Sequence, residues 1–289
     1  MKWLLSAFAD EAGGTVEEQI EALKRAGLHY IDIRGIDGFN ITTLPLDHAR
    51  EVKQKLDAVG IKVGMYGSPI GKIDIADDMS ADLDKLNHLG DLAPILGCNA
   101  VRIFSYYNKE GRPHEEWQQE SLNRLGQLRD LAEQRGLVLY HENERHIFGD
   151  YCKDVLSIAK ALRTGPEGTF RLIFDFDNYN QSDENVWENW QQLRDLTDGI
   201  HLKDSKDHQH VPVGQGTGSV REILADALQR GWHGPLTVEP HLTHSGAVAA
   251  TGPSGVANQE YSKMSPADSF HAACQAATNL LQELNAPVE

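Results

Sequence analysis

Cations are scarce in this sequence. Its 289 residues hold 27 Lys and Arg against 43 Asp and Glu, a formal net charge of −16. A field of that sign repels nucleic acid phosphates, and no cluster of Lys and Arg interrupts it, which argues against DNA or RNA as a partner. Cysteine is also rare: Cys98, Cys152 and Cys274 show neither paired spacing nor a CxxC pattern, so they read as reduced, mostly buried thiols. No apolar run approaches the roughly 18 residues that a membrane span needs. The opening "MKWLLSAFADEAGG" has a lysine and a short apolar run. Asp10 and Glu11 follow it at once, where a secretory signal would need small residues at a cleavage site. A first β-strand explains it better, and a cytoplasmic protein with no membrane partner is expected.

What is present is a soluble globular composition, 40% hydrophobic with ordinary Gly and Pro. Short apolar runs recur along it: "WLLSAFA", "YIDIRGI", "KVGMYGS", "AVRIF", "LVLYHEN", "FRLIFD", "IHLKD" and "PLTVEP". Between them lie segments of helical period. In "TVEEQIEALKRAG", Val16, Ile20 and Leu23 share a face and Gly27 supplies the stop; the pattern returns with stops at Gly60 and Gly136. Glycine reaches the left-handed conformation at a helix C-terminus at little cost, as each helix-to-strand junction requires. The count is eight βα units, the last helix falling near residues 266 to 284. Strict alternation implies a parallel sheet, and eight units without a dividing linker favour a single α/β domain over residues 1–289, a closed (β/α)8 TIM barrel. An open doubly wound sheet is the alternative, weakened by the lack of a GxGxxG at the first helix.

In a barrel the chemistry sits at the C-terminal ends of the strands. The fifth run ends in Glu142, and the sixth in Asp175 with Asp177 and Asn178 beyond. The seventh ends in His201, Lys203 and Asp204, and the eighth in Glu239 and His241. A lone acid at a strand end is ordinarily solvated or caps a helix; four successive strands that each deliver a metal-capable side chain to one rim point to a shared site. Three carboxylates and one imidazole form a mostly hard set. It suits one divalent ion, Mn²⁺ or Mg²⁺ first, with Co²⁺, Fe²⁺ and Zn²⁺ admitted through the imidazole. Three negative ligands exceed the charge of one such ion. Lys203, which alternation puts on the face of His201, and Arg34, at the end of the second run, are the candidates to offset it. For Arg34 a surface ion pair is an equal reading.

"HENE", "FDFDN", "HLKDS" followed by "PVGQG", and "VEPH" together resemble the xylose isomerase-like TIM barrels, the sugar phosphate isomerase/epimerase superfamily. That group includes ketose 3-epimerases, hydroxypyruvate isomerases and inosose dehydratases, with the endonuclease IV nucleases as distant relatives. The resemblance runs over nearly the whole chain and is strongest from about residue 137 to 241. It implies Glu142, Asp175, His201 and Glu239 as metal ligands, the set that the strand ends also give. It further implies Glu142 and Glu239 as the catalytic pair that removes and returns a proton. One departure stands out: the epimerases carry D-x-x-H on the sixth strand, with the His on substrate, and here Asn178 holds that place. The His-rich multi-zinc pattern of the nucleases is not reproduced, although His146, His208, His210 and His244 are present.

The expected activity is a divalent-metal-dependent isomerase or epimerase of a sugar or related polyol, working by proton transfer through a metal-stabilised enediolate. Lys203, His241, Arg34 and Asn178 are the substrate-binding candidates. A lyase or dehydratase acting on a keto-sugar, keto-inositol or keto-glycoside would use the same site, and a non-catalytic carbohydrate-binding barrel is a third reading. A homo-oligomer is left open. The run "VPVGQGTGSV" reads equally as a phosphate cradle or as a tight turn before a helix capped by Ser219. Phe104, Tyr106 and Tyr107 read as a sugar platform or as packing. The stretch from His241 to Ser265, roughly 25 residues without periodicity, is long for a βα connection, and residues 246–257 are expected to close over the site as a lid.

Overall fold

The alternation of apolar runs and helices is realised as a barrel. The structure, a computed structural model, describes residues 2–243 and 260–289. Eight strands form it: β1 (Leu4–Ala7), β2 (Tyr30–Ile33), β3 (Lys62–Tyr66), β4 (Ala100–Ile103), β5 (Val138–Glu142), β6 (Phe170–Asp175), β7 (Thr197–Leu202) and β8 (Pro235–Val238). From β2 to β8 each strand pairs in parallel with its neighbours in sequence, and β8 pairs with β1. A doubly wound sheet would reverse its strand order at a switch point; this order never reverses. Helices α1 (Val16–Ala26), α2 (Leu46–Ala58), α3 (Ser80–Leu96), α4 (His114–Arg135) and α5 (Cys152–Leu162) follow the first five strands. Two short helices, α6 (Phe176–Gln181) and α7 (Val186–Leu193), follow β6, then α8 (Val220–Gln229) and α9 (Pro266–Glu283).

Local chemistry sets these boundaries. Thr15 and Glu18 form a reciprocal capping box at the start of α1, and Gly27 ends it at φ +70°. Val16 and Leu23 are buried as the helical period requires; Ile20, on the flank of the same stripe, is half-buried. All three cysteines are buried and unpaired.

The ladder joins every adjacent pair except β1 and β2, whose seam is bridged by side chains. Ser6 Oγ donates to Asp32 Oδ2 at 2.8 Å, and Thr237 Oγ1 donates to the same oxygen at 2.7 Å. Two residues before Glu142 and Asp175 on their strands, Tyr140 and Ile173 join Met65 in an apolar cluster separate from the main core. The interior therefore changes from apolar to ionisable toward the C-terminal ends of the strands. Residues 246–257, read above as a lid, lie outside the described residues.

Candidate metal centre

Each of strands β5 to β8 ends in one member of a single cluster. Glu142 and Asp175 are the last residues of β5 and β6, His201 is the penultimate residue of β7, and Glu239 follows β8 directly. The register explains the meeting: Asp175 pairs with His201, and His201 with Thr237, two residues before Glu239. Side chains of alternate residues face inward, so the barrel aims all four at its axis. Their candidate ligand atoms lie within 4.8 Å of one another, and all four residues are buried. His201 Nδ1 is 2.8 Å from Glu142 Oε1 and 3.3 Å from Glu239 Oε2, so it is the ring nitrogen that faces the carboxylates.

This donor set fits a divalent cation. Glu142 Oε2, Asp175 Oδ2 and Glu239 Oε2 are buried without an aligned hydrogen bond and meet only the ion pairs of Arg102, Lys203 and His201, at 3.3, 3.1 and 3.3 Å, so they remain open to a divalent cation. Burial also disfavours charge on His201, yet Glu142 and Glu239 overcome it and push the imidazole up to about 10. The carboxylates thus demand positive charge at Nδ1, and a metal would supply more of it while displacing the proton. Burial likewise pushes Glu142 up, but His201 and Arg102 outweigh it and hold the carboxyl at about 2. For Asp175 burial prevails over Lys203, with Glu142 and Glu239 adding to it, and the carboxyl stays well above its ordinary range. Carboxylate is in excess here, as a metal centre requires.

Cations from neighbouring strands offset part of that excess. Lys203 Nζ stands 3.1 Å from Asp175 Oδ2 and 3.7 Å from Glu239 Oε2. Arg34 is buried, which sets aside a surface ion pair; it contacts Asp10, Glu11 and Glu239. His241 Nε2 lies 3.3 Å from Glu239 Oε1. Asn178 is turned to structure: its amide donates to the Asn143 carbonyl at 2.8 Å, and its backbone N–H donates to Asp175 Oδ1 at 2.8 Å.

Several residues at the site escaped the strand-end reading. Arg102, inside β4, reaches Glu142 Oε2 at 3.3 Å and Glu239 Oε1 at 3.5 Å. Its guanidinium lies 4.9 Å from the ring centres of both Phe8 and Phe104. A lone arginine in the apolar run "AVRIF" was the available signal. Asp10 and Glu11 end the first apolar run as Glu142 ends the fifth, and the same logic would have found them. Asn143 clamps β5 to β6 by accepting from the Asp175 N–H at 2.8 Å and donating to the Asp175 carbonyl at 3.0 Å. Asp177, which the strand-end reading did include, pairs nearby with His210 at 3.2 Å.

The glycine run resolves as a cradle for the protein's own anion. Asp204 Oδ2 accepts from the N–H groups of Gly214 at 3.0 Å and Gly216 at 2.9 Å, and Oδ1 accepts from Gly218 at 3.1 Å and Ser205 at 3.0 Å. The phosphate-cradle reading fails because those donors are taken. Ser219 stands at the N-cap of α8 but in a left-handed conformation, φ +53°, and its side chain makes no capping bond. Of the rim aromatics, Tyr106 and Phe104 are both buried: the Tyr106 ring lies 5.2 Å from the Arg124 guanidinium carbon, and the Phe104 ring lies under Lys72 Nζ at 4.3 Å and the Arg102 guanidinium at 4.9 Å, at the wall of an open cleft of about 750 Å³. Arg34, Arg102, Lys72, Phe39 and Asn40 also line that cleft, which reaches the centre through the two arginines.

Solved structures share this architecture. The 3-keto-D-glucoside 4-epimerase YcjR from E. coli is 15% identical, with a TM-score of 0.69 over 97% of this chain and 100% of that one. The IolI protein with a binding zinc atom is 17% identical, with a TM-score of 0.74 over 98% and 99%. The probable 3-DHS dehydratase AsbF from Bacillus anthracis is 16% identical, with a TM-score of 0.72 over 96% and 99%. At such identities the likeness is one of fold. No curated protein matches the chain in sequence. The xylose isomerase-like TIM barrel family model matches residues 20–259, and the chain belongs to that family.

Proposed function

We propose that the protein is a divalent-metal-dependent isomerase or epimerase of a sugar or related polyol. The observation that carries this reading is the buried meeting of Glu142, Asp175, His201 and Glu239, with an oxygen on each carboxylate that makes no aligned hydrogen bond. A divalent ion held there would supply Lewis acidity, polarising a substrate carbonyl and its neighbouring hydroxyl. The chain's own residues supply the rest. Glu142 and Glu239 approach His201 from β5 and β8, so carboxylates flank the site from two sides. One takes the proton from the carbon beside the carbonyl and the other returns it, which inverts the centre or moves the carbonyl. Lys203 and Arg102 hold both carboxylates ionised and in place. The cleft beside Arg34, Arg102 and Lys72 admits the polyol, with cationic donors for its hydroxyls.

Incubation in D₂O with a panel of ketoses, keto-inositols and keto-glycosides, with Mn²⁺ supplied, tests the reading. Deuterium entering the carbon beside the carbonyl with retention of all oxygens is the expected result. Loss of water or of an aglycone instead would make the enzyme a lyase. Absence of exchange across the panel, in a protein that carries no metal, would sink the proposal.

A further inference from the structure

Two groups of side chains at the rim have the spacing that a cation needs, and they share Glu239. Beside the four residues already described, Glu11, Glu239 and His241 place candidate ligand atoms within 4.8 Å of one another, all buried. His241 is 3% exposed, and neither ring nitrogen makes an aligned hydrogen bond. Its Nε2 faces Glu239 Oε1 at 3.3 Å and Glu11 Oε1 at 3.5 Å. A buried imidazole aimed at two carboxylates marks a place for positive charge.

Arg34 fills that place. Its two terminal nitrogens lie 3.2 Å from the same Glu239 Oε1 and 3.3 Å from the same Glu11 Oε1. The opposite edge is anchored to Asp10, with Nε donating at 2.9 Å and a terminal nitrogen at 3.0 Å. The guanidinium rests 4.9 Å from the Phe8 ring centre. We propose that Arg34 is a fixed organic cation in a latent second metal site and holds the centre to one metal ion; this rests on the metal reading above. A guanidinium does not lose its proton at any physiological pH and is tethered, so it cannot exchange as an ion does. Without it Asp10, Glu11 and Glu239 would face each other in a buried space and would have to recruit a cation or protons. A second ion bound there would bridge through Glu239 and take up the carboxylate that the proposed chemistry needs as a base.

Titration with Mn²⁺, followed by equilibrium dialysis and electron paramagnetic resonance, decides the matter without an activity assay. Wild type should hold about one ion per chain even in excess Mn²⁺, and Arg34→Met about two, with a spin-coupled signal from the shared carboxylate. Arg34→Gln keeps amide donors for Asp10 and serves if the larger change prevents folding. Arg34→Lys, which keeps the charge, and the double variant Arg34→Met/His241→Ala should both return to about one ion. A folded Arg34→Met or Arg34→Gln protein that still binds one ion overturns the inference, as does a coupled second ion in wild type. Wild type that binds none overturns the first metal site, and this inference with it.

Discussion

At the scale of single residues, the four cluster members differ in what their loss should do. His201→Ala and Asp175→Ala each remove a ligand, so Mn²⁺ affinity should fall by on the order of 100-fold or more, measured by dialysis. Glu142→Gln and Glu239→Gln keep an oxygen of similar shape but remove a base. Their turnover should drop by about 10²–10⁴-fold while metal content changes little. Equal falls in metal content and rate would deny the glutamates a role in proton transfer. These four residues were legible because each ends or closely follows an apolar run, where a carboxylate has no business without a partner. Arg102 was not, because a search for ligands passes over a cation inside the strand "AVRIF". Asp10 and Glu11 stood in plain view and served only to dismiss a signal peptide. Asn178 shows the limit of reading a family position: its amide is committed to the Asn143 carbonyl, a bond that no sequence spacing announces.

At the scale of elements, two devices hold the rim and the seam. Gly216 cannot gain a side chain: a Cβ would sit 2.2 Å from Asp204 Oδ1 and 2.4 Å from the Ser205 carbonyl oxygen. Gly216→Ala should therefore cost about 2 kcal/mol or more in denaturant unfolding, whereas Gly111→Ala, at a turn whose Cβ meets nothing, should pay only for its positive φ, about 1 kcal/mol. Equal costs would mean that the Asp204 cradle contributes nothing. The sequence could not separate this cradle from a phosphate site, since Asp204 lies outside the glycine run that surrounds it. Seam closure was equally hidden, because Ser6, Asp32 and Thr237 each look unremarkable in their own strands. Burial raises the Asp32 carboxyl above its ordinary value, against the pull of the Thr237 and Ser6 hydroxyls. The folded state then binds its proton more tightly than the unfolded chain does, so this group's contribution is complete at low pH and declines as pH rises through the folded value. Asp32→Asn does not titrate. Its stability relative to wild type should grow from pH 4 to pH 7, and a difference independent of pH would show that Asp32 is unperturbed.

At the scale of the whole molecule, the fold was legible because barrel topology follows from repetition: eight apolar runs with helical segments between them leave few arrangements. What repetition cannot state is how the halves of the barrel are tied. The proposed centre draws one residue each from β5, β6, β7 and the end of β8, so an ion there would add a link between four adjacent strands already joined by backbone ladders, packing and the Asn143 clamp. The unfolded chain scatters these residues between positions 142 and 239 and cannot reproduce the site, so binding should favour the folded state alone. At a free Mn²⁺ concentration about 100 times its dissociation constant, the gain is about 2.7 kcal/mol. For a chain of this size that corresponds to a rise in Tm of roughly 4–5 °C. Thermal unfolding with Mn²⁺ and with excess chelator should show this difference in wild type, and His201→Ala should lose most of it. Glu142→Gln should retain much of it, because its amide oxygen can still coordinate. A wild-type Tm that is the same in chelator and in Mn²⁺ would mean that no ion ties these strands, whatever the cluster's geometry invites.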